Sequence, residues 1–63
     1  MEEITLQADF EIEYAKTKGS LVEPRQHGVR IYRAGKITAY SDVFVAIEGK
    51  KFLRSVNEFV VIE

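Results

Sequence analysis

ITLQADFEIEYA, residues 4–15, alternates apolar and polar side chains almost without fault: Ile4, Leu6, Ala8, Phe10, Ile12 and Tyr14 against Thr5, Gln7, Asp9, Glu11 and Glu13. Period-2 alternation puts every second side chain on the same face, so the stretch reads as one long strand with an apolar face and an acidic face. Extended at about 3.4 Å per residue it runs roughly 40 Å. Size scaling for a 63-residue chain gives a globule only about 11 Å in radius. The strand is therefore expected either to bend at Ala8–Asp9, where the small alanine leaves room for a bulge, or to project and be covered by a second chain.

Beyond it, KTKGS (16–20) supplies turn residues, and the stretch to Gly28, with Pro24 inside it, reads as a long loop. Alternation then resumes. Val29 and Ile31, Ile37 and Ala39, and Val43, Val45 and Ile47 keep odd positions apolar through a turn at Ala34–Lys36. With Gly35 free to take a positive φ, that loop opposes residue 33 to 37 and 31 to 39 and leaves one apolar face. IEGKKF signals a tight hairpin, with Glu48 to Lys51 turning the chain and Ile47 opposite Phe52. Ser55 to Glu58 breaks the pattern as one helical turn before FVVI forms a short last strand.

No window of ten residues carries a clear 3.6-residue apolar stripe, so the expected fold class is all-β: a small single-domain barrel of five or six antiparallel strands over residues 1–63. The order of elements resembles an SH3-like small barrel, with 16–28 standing for its long first loop, EGKK for the tight distal hairpin and SVNE for the turn before the last strand. An OB-like barrel or a strand-swapped β-dimer gives the same string of strands. There is no ALYDY-type stretch and no Trp, so the resemblance does not imply polyproline recognition. The residues expected to be buried are Phe10, Ile12, Val29, Ile31, Ile37, Val45, Ile47, Phe52 and Val61.

The composition, 46% hydrophobic and 30% charged, is that of a folded chain rather than a disordered one. At this length only about 60% of the unfolded surface is buried, so the core is small. The chain has no Cys, and small secreted domains usually depend on disulfides, which favours a cytoplasmic setting. The acidic start MEEI argues against a signal or transit peptide. The longest apolar runs, 43–47 and 59–62, fall far short of the roughly 20 residues that span a bilayer, so no membrane association is expected. Net charge is −1, but it is sorted: residues 1–15 carry −5, residues 16–36 carry +5, and the remainder −1.

Catalytic signals are weak, and no enzyme activity, metal or cofactor is expected. Nucleophilic catalysis needs a nucleophile with a base beside it, and the single His, His27, falls in the expected loop. Asp9, Glu11 and Glu13 share one face of the expected strand, where they read as a solvated face rather than a hard-cation site. KTKGS lacks the spacing of a phosphate loop, and there is no His/Cys cluster for zinc.

A binding face is better supported. In the expected hairpin Arg30 and Tyr32 lie across from Tyr40 and Thr38, with Arg33 and Lys36 at the turn, and Lys50, Lys51 and Arg54 extend the basic surface. Tyrosines among cations either bury in a protein interface or stack bases and track phosphates. A compact barrel also leaves them the plainer role of covering a secondary cluster with Phe44. A pI near 5.8 places nucleic acid second, since nucleic-acid binders of this size are usually basic. The reading is a non-catalytic interaction module that self-associates as a homodimer or larger oligomer and regulates or scaffolds a protein partner. Asp9, Glu11 and Glu13 of its first strand are expected to meet Arg30 and Arg33 of a neighbouring subunit.

Overall fold

Asp9 to Lys18 form a helix, not the second half of a strand. The computed structural model describes residues 3–62; Met1, Glu2 and Glu63, read above for the acidic start and the charge totals, lie outside them. In chain order the elements are β1 (Ile4–Leu6), α1 (Asp9–Lys18), β2 (Val22–Gln26), β3 (Val29–Arg30), β4 (Ile37–Tyr40), β5 (Phe44–Ile47), β6 (Lys50–Leu53) and β7 (Glu58–Val61). Among the described residues the fold is β-rich, with seven strands in two antiparallel sheets rather than the five or six expected, and α1 departs from the all-β expectation.

The helix resolves the length problem of residues 4–15. A straight strand of roughly 40 Å exceeds the longest dimension of the molecule, 27 Å. Ten residues coiled at 1.5 Å each cover about 15 Å instead. The chain does change direction at Ala8–Asp9, but as a strand-to-helix junction. Asp9 and Glu11 sit in the first turn and Lys16 and Lys18 in the last, the arrangement that complements the helix dipole. Glu11 Oε1 accepts the Gln7 and Ala8 N–H groups at 2.8 and 2.9 Å. Gly19 closes the helix at φ 74°. Its N–H bonds Lys16 O at 3.2 Å and the Ser20 N–H bonds Ala15 O at 3.0 Å, a Schellman motif that glycine adopts without strain.

The loop expected over 16–28 is in fact the end of α1 and the strand β2. Two-residue turns with positive φ at both central positions link β2 to β3 (His27 54°, Gly28 79°) and β5 to β6 (Glu48 50°, Gly49 84°), the requirement of a type I′ hairpin. The distal hairpin is therefore tighter than expected: Ile47 faces Lys50, and Phe52 faces Val45. The β3–β4 hairpin does not form, because β3 turns back onto β2, with Arg25 opposite Arg30. Residues 31–36 then cross between the sheets, anchored by the Val22–Gly35 bridge. Gly35 is required there by close approach and not by a positive φ, since a Cβ would lie 2.5 Å from Glu48 Cγ and 3.1 Å from Ile47 Cγ2.

One sheet runs β1-β7-β2-β3 and the other β4-β5-β6. No closed barrel forms among the described residues. The core lies between the sheets and α1, built on Leu6, Ile12, Ala15, Val22, Ile37, Val45, Ile47, Phe52 and Phe59. Ile12, Ile37, Val45, Ile47 and Phe52 are buried as expected. Val61 is only half-buried. Phe10, Val29 and Ile31 are exposed, 75%, 65% and 42%, because the strand faces assigned to them do not exist. Among the described residues no helix is long and apolar enough to cross a membrane.

Candidate functional site

The tyrosines of the expected binding face lie on separate elements. Tyr32 stands in the crossover between the sheets, half-buried against the core. Its ring centroid is 5.7 Å from that of Phe52, and Arg33 and Lys50 each sit 5.4 Å from it as cation–π partners. Tyr40, on β4, also packs on the core, and its hydroxyl donates to Glu13 Oε1 at 2.9 Å. Arg30 is exposed on β3. The Lys36 amide donates to Glu48 Oε2 at 2.9 Å. Arg33, Lys50 and Tyr32 are thus brought together, whereas Arg30, Lys36 and Tyr40 are not joined to them by any ladder. Of the basic extension, Lys51 stands 4.7 Å from the Phe44 ring. Arg54 is engaged structurally, Nη1 reaching Ser41 O at 2.6 Å and Asp9 Oδ1 at 2.8 Å.

The acidic strand face is likewise dissolved by the helix. Asp9 pairs with Arg54, and Glu13 accepts from Tyr40 and from Thr17 at 3.0 Å. Glu11 caps the helix. These hydrogen bonds favour the ionised carboxylates: the Ala8 and then the Gln7 amide hold Glu11 below its ordinary pKa, and Tyr40 and then Thr17 do so for Glu13. Among the described residues there is no cluster of three or more His, Asp and Glu placed to hold a metal ion.

A recess lies between α1 and β1, where sequence reasoning placed no cavity. It encloses about 580 Å³ and is lined by Ile4 and Leu6 of β1, by Phe10, Glu11, Tyr14, Ala15 and Lys18 of α1, and by Ser20 and Val61. Its apolar lining is open to solvent: Ile4 is 54% exposed, Phe10 75% and Tyr14 67%. β1 is the outer strand of its sheet, paired on one side by β7, so its other edge is free among the described residues. The rim carries Glu11 and Lys18. Both cap bonds fall on Glu11 Oε1, and the Lys18 ammonium lies 5.7 Å from the Tyr14 ring centroid. A sequence signal for this face existed, because Phe10 and Tyr14 are four apart, a helical neighbour spacing as much as a strand one.

No family model, no curated protein and no solved structure matches the chain. The chemistry the groove offers is hydrophobic and aromatic contact beside a strand edge able to hydrogen-bond, with one charge of each sign at the rim. Those are the means of docking another polypeptide.

Proposed function

We propose that this chain is a non-catalytic interaction module that self-associates and regulates or scaffolds a protein partner. The observation that carries this is the groove: three large apolar side chains, Ile4, Phe10 and Tyr14, stand open beside a strand edge that is unpaired among the described residues. Apolar surface of this kind beside a free edge is a liability in a soluble monomer and the usual core of an interface. Self-association also gives a small domain buried area that its own core barely supplies. The contact is the groove rather than an acidic strand meeting Arg30 and Arg33, because Asp9 and Glu13 already have partners in their own chain. The SH3-like topology stays part of the proposal, supported by the meander β4–β6 and the return through β7.

Light scattering over a dilution series tests it. A mass above the monomer is expected at tens of micromolar or below, an affinity range typical of specific complexes. Phe10→Asp should return the mass to that of a monomer while the circular dichroism spectrum persists. A wild-type monomer throughout would overturn the reading.

The second reading, a nucleic-acid-binding domain, is favoured by the convergence of Arg33, Lys50 and Lys51 on the rings of Tyr32, Phe52 and Phe44. It ranks lower because those ring faces already carry the protein's own cations and Phe52 is buried. Labelled single-stranded DNA or RNA bound tightly at physiological salt, and released by Lys50→Ala with Arg33→Ala, would reverse the order.

A further inference from the structure

We propose that the occupant of the groove is a second copy of this chain, docked about a two-fold axis that passes beside Tyr14 and sets the two α1 helices antiparallel. The inference rests on the self-association reading and adds the symmetry, the orientation and the charge pairs. At 100° per residue, Phe10, Glu11, Tyr14 and Lys18 fall within roughly 100° of the helix circumference, so one face of α1 presents two rings flanked by a carboxylate and an ammonium. Ile12 points away from it into the core, and the buried Ala15 lies at the floor of the groove.

Glu11 and Lys18 are seven residues apart, about 10.5 Å along the axis. A two-fold axis at their midpoint, beside Tyr14, puts Glu11 of each copy level with Lys18 of the other. One patch then makes two ion pairs, the self-complementarity that an isologous interface demands. Parallel helices would set Glu11 against Glu11 and Lys18 against Lys18, and a partner of uniform charge would be repelled at one end of the groove. Both groups are available. Glu11 uses Oε1 for the cap, with no described hydrogen bond to Oε2, and Lys18 forms no ion pair among the described residues. Phe10 and Tyr14 of the two copies cover one another between these pairs, the central aromatic anchor of many interfaces.

The absence of Cys makes single introduced thiols clean reporters. Under mild oxidation Tyr14→Cys, at the axis, should give a covalent dimer in good yield, whereas Val43→Cys, exposed at the β4–β5 connection away from the groove, should not. Lys18→Glu should raise the dimer dissociation constant about tenfold at low salt, and Glu11→Lys with Lys18→Glu should recover most of that loss. Circular dichroism verifies that α1 persists in each variant. If the wild type scatters as a monomer, self-association itself falls, and this inference with it. If it is a dimer but the two thiol variants cross-link alike and the charge exchange restores nothing, self-association stands and the two-fold α1 interface is overturned. A series of masses beyond the dimer would overturn it as well, since that marks a head-to-tail contact.

Discussion

The Tyr40 hydroxyl donates to Glu13 Oε1 at 2.9 Å and so ties α1 to β4. Glu13 is held below its ordinary 4.5, first by the Tyr40 hydrogen bond and then by that of Thr17, with Lys16 adding a smaller pull and burial opposing. A depressed carboxyl contributes stability that is present above 4.5 and is lost as the pH falls through its folded value. Glu3, lowered by Arg25, and Glu11, lowered by the Ala8 and Gln7 amides, act in the same sense, so acid should weaken the start of α1, its tie to β4 and the link from Glu3 to β2. Tyr40 shifts the other way, above 10.0, chiefly because ionising it would break the bond to Glu13, then through burial and the charges of Glu13 and Asp9, against Arg54. Its contribution is present below 10.0 and is lost as the pH rises through the folded value. Absorbance titration of tyrosinate in a Tyr14→Phe, Tyr32→Phe background should place Tyr40 above 10.0, and Glu13→Gln should bring it down. An unchanged midpoint in the Gln variant would show that the bond is not formed in solution. Nothing in the sequence paired residues 13 and 40, since their meeting depends on where α1 lies across β4.

At the scale of the element, α1 starts with half a capping box. Glu11 reaches back to the Ala8 N–H, but Ala8 has no side-chain oxygen to return the contact to the first turn. Its backbone, φ −95° and ψ 156°, already has the extended conformation of an N-cap residue. Ala8→Ser should therefore complete the box and raise stability by about 0.5–1 kcal/mol, read as a higher urea midpoint. A lower midpoint would mean that the hydroxyl cannot reach the Glu11 amide. The strand reading of residues 4–15 failed at this element for a definite reason. On a helix Phe10 and Tyr14 lie roughly 40° apart, while Ile12 lies roughly on the opposite side. One pair faces the groove and the other side faces the core. With apolar residues on two sides there is no single stripe, and their even spacing mimics alternation. The acidic first turn, the basic last turn and Gly19 were legible stop and start signals of a helix, overridden by that alternation. The distal hairpin and β7 were legible in outline because Gly49 and short apolar runs act over neighbouring residues, but the turn was read as Glu48–Lys51 where the structure turns at Glu48–Gly49 and starts β6 at Lys50.

For the whole molecule, the buried set determines what substitutions cost. Ile47 is fully buried, so Ile47→Ala should lose about 2–5 kcal/mol, a large part of the stability of so small a domain, whereas Ile31, 42% exposed, should tolerate alanine with a loss below about 1 kcal/mol. Equal denaturation midpoints for the two variants would contradict the placement of residue 31 in an exposed crossover. The radius of gyration, 10.0 Å, is close to the value that length alone suggests, yet it is reached with two sheets and a helix rather than one long bent strand. Local pattern by itself determined a small β-rich fold, the presence though not the register of the distal hairpin, the last strand and five of the core residues. Only the tertiary structure decided that residues 9–18 coil, that β3 turns back onto β2, and that the open apolar face is a groove beside α1. The physical reason is that a ten-residue helix is marginal alone: Ile12 and Ala15 become favourable inside it only once the core and β4 are there to bury them.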